Sequence, residues 1–212
     1  MNAPERLPNR MQGTAEWFNA RIGCLTASRM ADAIATKKDG TPMKCRQDLM
    51  FELLAERMTG NAVTHYVNDA MRHGQEQEPA AKMAYEAATG NLVLDAPFVP
   101  HPRIEHCGAS PDGFVDDGLV EIKCPTTPKH LTYLRNRAVP EEYRPQMLMQ
   151  MACTGRRWCD FVSFDPRMPP PQQLLIVQYA PGEDEIAAIE DAARTFLADL
   201  DAMFDQITRA QP

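Results

Sequence analysis

With 212 residues, 44% of them hydrophobic and 24% charged, the chain can bury a substantial core as one domain and shows no bias toward disorder. No apolar stretch is long enough to cross a bilayer and no basic-then-apolar leader opens the sequence, so no membrane role and a cytoplasmic location are expected. The formal charge of −7 argues against a generic nucleic-acid binder. Between positions 123 and 157, however, Lys123, Lys129, Arg135, Arg137, Arg144, Arg156 and Arg157 face only Glu141 and Glu142, which reads as a basic channel on an acidic body. The six cysteines form no Cys-x-x-Cys pair and no cluster near the end of the chain, against a zinc ribbon or an iron–sulfur site, and read as reduced, mostly buried thiols.

Residues 1–12 are polar and proline-containing and read as a mobile start, leaving 13–212 as the folded domain. Residues 14–20 suit a short helix carrying Trp17 and Phe18, Gly23 marks a turn, and Thr26 is a good N-cap for a helix to residue 35. That helix would place Ser28 in a first turn that favours anions. Taken alone, Ser28 reads as a capping hydroxyl and Arg21 as a surface charge. Residues 37–42 read as a loop, and 43–58 repeat Met50, Leu53, Leu54 and Met58 at helical spacing before Gly60. A further helix spans 67–89 with Pro79 as a kink or restart and Glu78, by itself an exposed carboxylate, just before it.

Residues 92–99 and 105–109 read as strands leading into a hairpin, and 131–137 and 142–153 as helices, the second carrying Gln146 and Gln150. Strands over 158–164 and 173–179 are separated by a rigid Pro169-Pro170-Pro171 loop. Residues 184–207 form a long amphipathic helix with an acidic outer face. No internal repeat is present, and the five histidines (65, 73, 101, 106, 130) lack an i, i+4 pair and read as mostly structural.

The hairpin carries the chemistry. Ser110-Pro111-Asp112-Gly113 leads into a first strand ending at Phe114 and Val115, Asp116-Asp117-Gly118 form a tight turn whose positive φ suits glycine, and residues 119–124 return. Glu121 and Lys123 then share one face, with Val120, Ile122 and Cys124 on the other. The fold-back brings Asp112 near Glu121 or Lys123, depending on the turn. Two carboxylates converging with an ammonium suit a hard divalent cation, with Mg²⁺ the expected ion, Mn²⁺ able to replace it and two ions per site. The Ile122 carbonyl, between the two side chains, is a further candidate ligand. Lys123 would orient a metal-bound water or help to deprotonate it. The bland alternative is a surface hairpin with an exposed Glu–Lys pair worth at most about 1 kcal/mol.

The pattern resembles the Pro-Asp…(Asp/Glu)-x-Lys signature of the restriction-endonuclease-like nuclease superfamily. Its wider context resembles the phage lambda exonuclease family, the YqaJ-type viral recombinases. The likeness rests on Arg21-Ile22-Gly23-Cys24-Leu25-Thr26-Ala27-Ser28, His73-Gly74-Gln75-Glu76-Gln77-Glu78, Gly108 to Pro125 with its Ser-Pro-Asp-Gly and Glu-Ile-Lys-Cys-Pro, and Asp165-Pro166-Arg167-Met168. The resemblance implies a single α/β (α+β) domain in which helices flank a central mixed sheet. It also implies that Glu78 supports the metal site, that a glutamine (Gln146, or else Gln150) positions it, and that Arg21, Ser28 and Lys129 hold the 5′-phosphate of a DNA end. By the same resemblance the protein would digest one strand of linear duplex DNA from its 5′ end to 5′-mononucleotides, leaving a 3′ overhang. It would act as a ring-shaped homotrimer alongside a single-strand annealing protein in recombination. The rival readings are a structure-specific or restriction-type endonuclease, and a catalytically silent DNA-binding module on the same fold.

Overall fold

The computed structural model describes residues 10–64 and 69–209. Residues 1–9 of the expected mobile start, His65, and the first two positions of the expected 67–89 helix lie outside the described residues. Residues 10 and 11 are tied down: the Phe98 N–H donates to the Arg10 carbonyl at 2.8 Å and Met11 bridges to Pro97.

In chain order the elements are α1 (Ala15–Arg21), β1 (Leu25–Thr26), a 3₁₀ turn (Ala27–Arg29), α2 (Met30–Ala33), α3 (Lys44–Thr59), α4 (Asp69–Thr89), β2 (Val99–Pro100) and β3 (Cys107–Ala109). There follow β4 (Gly113–Val115), β5 (Gly118–Lys123), α5 (Thr127–Asn136), a 3₁₀ turn (Glu141–Tyr143), α6 (Arg144–Thr154), β6 (Cys159–Phe164), a 3₁₀ turn (Pro170–Gln172), β7 (Leu174–Tyr179) and α7 (Glu183–Arg209). The strands make two sheets, β1-β3-β2 and β4-β5-β6-β7. In the larger, β5 runs antiparallel to β4 and parallel to β6, and β7 is antiparallel to β6. A parallel pair needs a long crossover, which α5 and α6 supply. The protein is a mixed α/β domain with helices on both faces of its main sheet, the architecture expected from the hairpin's relatives.

Burial on both faces of β5 fixes the site. Leu119 of β5 joins Phe161 of β6, Leu53, Met147, Met149 and Phe196 in the main core, while Val120, Ile122 and Val162 meet Ala81 and Tyr85 of α4 in a second one. A strand covered on both sides reads as continuously apolar, so the acid at Glu121 stands out. Among the described residues no helix is long and apolar enough to cross a membrane. The six cysteines are free thiols, Cys107, Cys153 and Cys159 buried and the other three partly so.

Four expectations change. The helix expected from Thr26 breaks into a 3₁₀ turn and the four-residue α2, and Thr26 itself ends β1 without capping through its side chain. Pairing of Leu25 and Thr26 with Cys107 and Gly108 holds Thr26 extended, and Ser28 loses the long helix whose dipole was to serve it. The strand expected over 92–99 shrinks to Val99, which continues to Pro100, plus isolated bridges of Leu94 with Phe114 and Pro97 with Met11; Pro97 cannot donate to a ladder. The strand expected from residue 105 starts at Cys107, since His106 takes a positive φ of 54°. Finally, α4 continues through Pro79 without interruption. Pro79 and Gln75, whose carbonyl loses its partner, both lie on the exposed side of the helix.

Candidate active site

The hairpin closes with Gly113 opposite Val120, Phe114 opposite Leu119 and Val115 opposite Gly118. Asp116 and Asp117 therefore form a two-residue loop, and the positive φ (46°) falls on Asp116 rather than on a glycine. Aspartate tolerates that region. Gly118 is needed for a different reason: a Cβ there would stand 2.1 Å from the Trp158 indole, whose Nε1 donates to Asp117 at 2.7 Å. Arg156, one of the expected channel cations, donates to the carbonyls of Asp116 and Gly118 and stacks on Phe114. It staples the hairpin from behind instead of lining the channel.

This register sets Asp112, one residue before β4, beside Glu121. The Ile122 N–H donates to Asp112 Oδ2 at 2.7 Å, so the expected fold-back resolves in favour of Glu121 while Lys123 stays within electrostatic reach. Glu121 is wholly buried and gripped at both oxygens: Gln146 Nε2 donates to Oε1 and Gln150 Nε2 to Oε2, each at 2.6 Å. Two glutamines one helical turn apart on α6 face the same strand residue, so the alternative between them dissolves into a two-point clamp. Lys123 Nζ pairs with Glu121 Oε1 as well.

Charge is not balanced here. Burial first, and then repulsion from Glu121, raises the Asp112 carboxyl to about 8 in spite of Lys123. Burial alone would lower the Lys123 ammonium, but Glu121 and Asp112 outweigh it and hold the proton more tightly than usual. Lys123 is thus a fixed cation and a poor base. Glu78, on α4, adds its own negative field to Asp112, keeps an ion pair with Lys82 at 3.4 Å, and faces the same cleft. Burial, then Glu78 and Asp112, also pushes the Cys124 thiol up to about 12. The cleft holds about 730 Å³ and is lined by Glu78, Asp112, Ile122, Lys123, Lys129 and Arg167 among others.

A divalent cation fits this donor set. Asp112 and Glu121 share Lys123, with Glu78 adding its field from α4, and a positive ion would offset the burial and repulsion that raise Asp112. Among the described residues, no three Asp, Glu, His or Cys side chains by themselves enclose a metal position. Backbone and water oxygens would complete the shell, as is usual for Mg²⁺.

The expected phosphate group is divided. Arg21 and Ser28 line a separate cavity of about 690 Å³. Arg21 lies 4.1 Å over the Trp17 ring and donates through Nη1 to Ser110 Oγ at 3.0 Å, where Trp17 Nε1 also donates at 2.9 Å. Ser110 stands two residues before Asp112 in the chain. Ser28 is exposed, its Oγ 3.3 Å from Thr26 Oγ1. Lys129 instead lines the cleft of Asp112, pairs with Glu142 at 2.7 Å and donates to the Tyr143 hydroxyl at 3.3 Å.

Residues 16–157 match the YqaJ-like viral recombinase domain. The chain belongs to that family. An alkaline exonuclease, LHK-Exo of Laribacter hongkongensis, is 43% identical over 92% of this chain and 97% of its own, with a TM-score of 0.84. The structure of LHK-Exo in complex with dAMP gives 0.86 at the same identity and coverage. A phage-related exonuclease from Haemophilus somnus 129PT, 15% identical over 87% of this chain and 96% of its own with a TM-score of 0.69, shares the fold. Among curated proteins none matches the chain.

Within this YqaJ-type domain the sequence left several site residues unmarked. Tyr143 lies under both cleft lysines, its ring centroid 5.1 Å from Lys123 Nζ and 5.5 Å from Lys129 Nζ, yet a tyrosine between helices carries no local signal. Ser110 had one, standing directly before Pro-Asp. His73 also lines the cleft and its buried Nε2 has no partner among the described residues.

Proposed function

We propose that the protein is a Mg²⁺-dependent exonuclease that digests one strand of linear duplex DNA in the 5′ to 3′ direction, releasing 5′-mononucleotides and leaving a 3′ single-stranded overhang. The observation that carries this reading is the Asp112–Glu121–Lys123 group at the cleft, whose buried Glu121 is clamped by Gln146 and Gln150. The likeness to LHK-Exo supports it, and that relative's structure with dAMP contains a nucleotide of the class such a reaction would release.

Asp112, Glu121 and the Ile122 carbonyl would hold one ion and Glu78 would support a second, together supplying an acidified water and charge neutralisation at phosphorus. Mn²⁺ would serve in place of Mg²⁺. Gln146 and Gln150 fix Glu121 so that its carboxylate need not reorganise. Lys123, held protonated, orients the nucleophile and stabilises charge developing on the phosphoryl oxygens. No histidine is required as a base.

Arg21 and Ser28 from one cavity and Lys129 from the cleft would receive the 5′-phosphate. Lysine binds it as a point charge, without the fork of an arginine. Each cut creates a new 5′-phosphate that is again a ligand for these residues, which favours repeated cutting without release. We further propose a homotrimeric ring around the DNA, a single-strand annealing protein as partner in recombination, and action in the cytoplasm.

The test is digestion of a 5′-phosphorylated linear duplex and a covalently closed circle of the same sequence, with Mg²⁺ and with EDTA. The linear substrate should be degraded only with the metal and the circle left intact. Nicking of the circle would point to an endonuclease, and no cutting of either to a silent DNA-binding module.

A further inference from the structure

Asp165-Pro166-Arg167-Met168, the segment after β6, has no part in the mechanism above, yet Arg167 stands in the active-site cleft. We propose that Arg167 contacts an internal phosphodiester of the DNA strand lying in that cleft, an inference that rests on the nuclease reading. Asp165 has no exposed surface and organises the segment. Its Oδ1 accepts from Arg167 Nε at 2.7 Å and from the Arg167 backbone N–H at 3.1 Å, and its Oδ2 accepts from Arg167 Nη2 at 3.1 Å and from Thr127 Oγ1 at 2.6 Å. Arg167 Nη2 also donates to the Pro125 carbonyl at 3.1 Å, at the end of the strand that bears Lys123.

These bonds fix the plane of the guanidinium without enclosing it. The side chain is 49% exposed, and among the described residues Nη1 has no protein partner. Arg167 lines the same cleft as Asp112 and Lys123. A fork held in place by a buried acid meets a phosphate with little ordering left to do, and its planar donors match phosphate oxygens. Of the three residues assigned to the 5′-terminal phosphate, Arg21 and Ser28 line the other cavity and Lys129, in the Arg167 cleft, is paired with Glu142 and Tyr143. Arg167 is therefore assigned to the strand near the scissile bond, and its contribution should not depend on the 5′-terminal phosphate. An Arg–Asp pair that only held the loop would shift stability alone.

Anisotropy titrations of metal-free protein in EDTA, with linear duplexes ending in 5′-phosphate or 5′-hydroxyl, measure binding without cutting. Arg167→Gln should weaken binding about fivefold on both duplexes and lower the slope of log affinity against log salt by about 0.9, one phosphate contact. Because Gln alone leaves Asp165 buried with less compensation, the paired variant D165N/R167Q removes the acid together with its partner. It should melt near the wild type and show the same loss. A folded paired variant with wild-type affinity and salt slope overturns the proposal, and so does a loss confined to 5′-phosphorylated ends. Wild-type protein that binds neither duplex overturns the nuclease reading and this inference with it.

Discussion

Glu190 on α7 accepts from Arg103 Nη2 through both oxygens at 2.9 Å, with His101 Nε2 at 3.2 Å and Arg194 Nη2 at 3.4 Å. Burial would raise its pKa, but Arg103 and His101 outweigh that and hold it below the usual carboxylate range. Asp112, half-buried beside Glu121, accepts one backbone N–H, and its pKa moves the other way. The first cluster ties α7 to the turn before β3 and is complete. The second is under-neutralised, a destabilising arrangement that a bound cation would resolve. Asp165 belongs with Glu190: Arg167 and Thr127 overcome its burial and bring it to about 2.

Different effects of substitution on turnover would sharpen this contrast. Lys123→Ala should cut hydrolysis of linear duplex on the order of 10³-fold per folded molecule, because a fixed positive charge at the reacting phosphate is lost, although losing the partner of buried Glu121 also lowers the melting temperature. Near-wild-type digestion by that variant would remove lysine from the mechanism. Glu190→Ala should affect stability alone, costing about 2 kcal/mol in denaturant unfolding through lost charged hydrogen bonds, with turnover per folded molecule unchanged. A loss of turnover in excess of the unfolded fraction would break the division between the two clusters.

A smaller effect concerns pH. Metal-free, the folded protein keeps the Asp112 proton to about pH 8, whereas the unfolded chain releases it near the ordinary value of 3.8. Between those values the native state binds the extra proton, so this residue's contribution makes stability fall as pH rises through the window. Asp112→Asn should flatten that part of the profile, and Mg²⁺ should lessen it in the wild type. A slope in metal-free protein that is the same with and without the acid would show that Asp112 is not the strained group. The smallest effect is expected at the second cavity. Linear DNA with 5′-hydroxyl ends should be cut several-fold more slowly than 5′-phosphorylated DNA, a difference corresponding to about 1 kcal/mol for one phosphate contact. Arg21→Ala should narrow that gap. Equal rates on both ends in the wild type would discard the phosphate role of Arg21, Ser28 and Lys129.

The hairpin was legible because its information is local. Alternation along 119–123 assigns faces and Asp-Asp-Gly bounds the turn, so Glu121 and Lys123 could be put on one side of a strand without knowledge of the rest. The same local logic failed where a neighbour decided. Thr26 has a capping side chain, but β3 holds it extended. Arg156 counted toward a basic channel, but it reaches the back of the hairpin. Lys129 and Arg21 were expected in one pocket and line two cavities.

Residue order and side-chain periodicity, acting over distances of a few residues, determined the ribbon that bears the acids and the amphipathic helices that cover it, and the motifs' resemblance to a known nuclease family implied the kind of fold. Only the tertiary structure decided that Glu121 is gripped by two glutamines at once, that Asp112 is left short of positive charge, and that Arg167 turns toward the cleft. Those outcomes depend on burial and on contacts between segments 25 to 42 positions apart. Such contacts are set by how α4, α5 and α6 pack on the sheet, which no local pattern encodes.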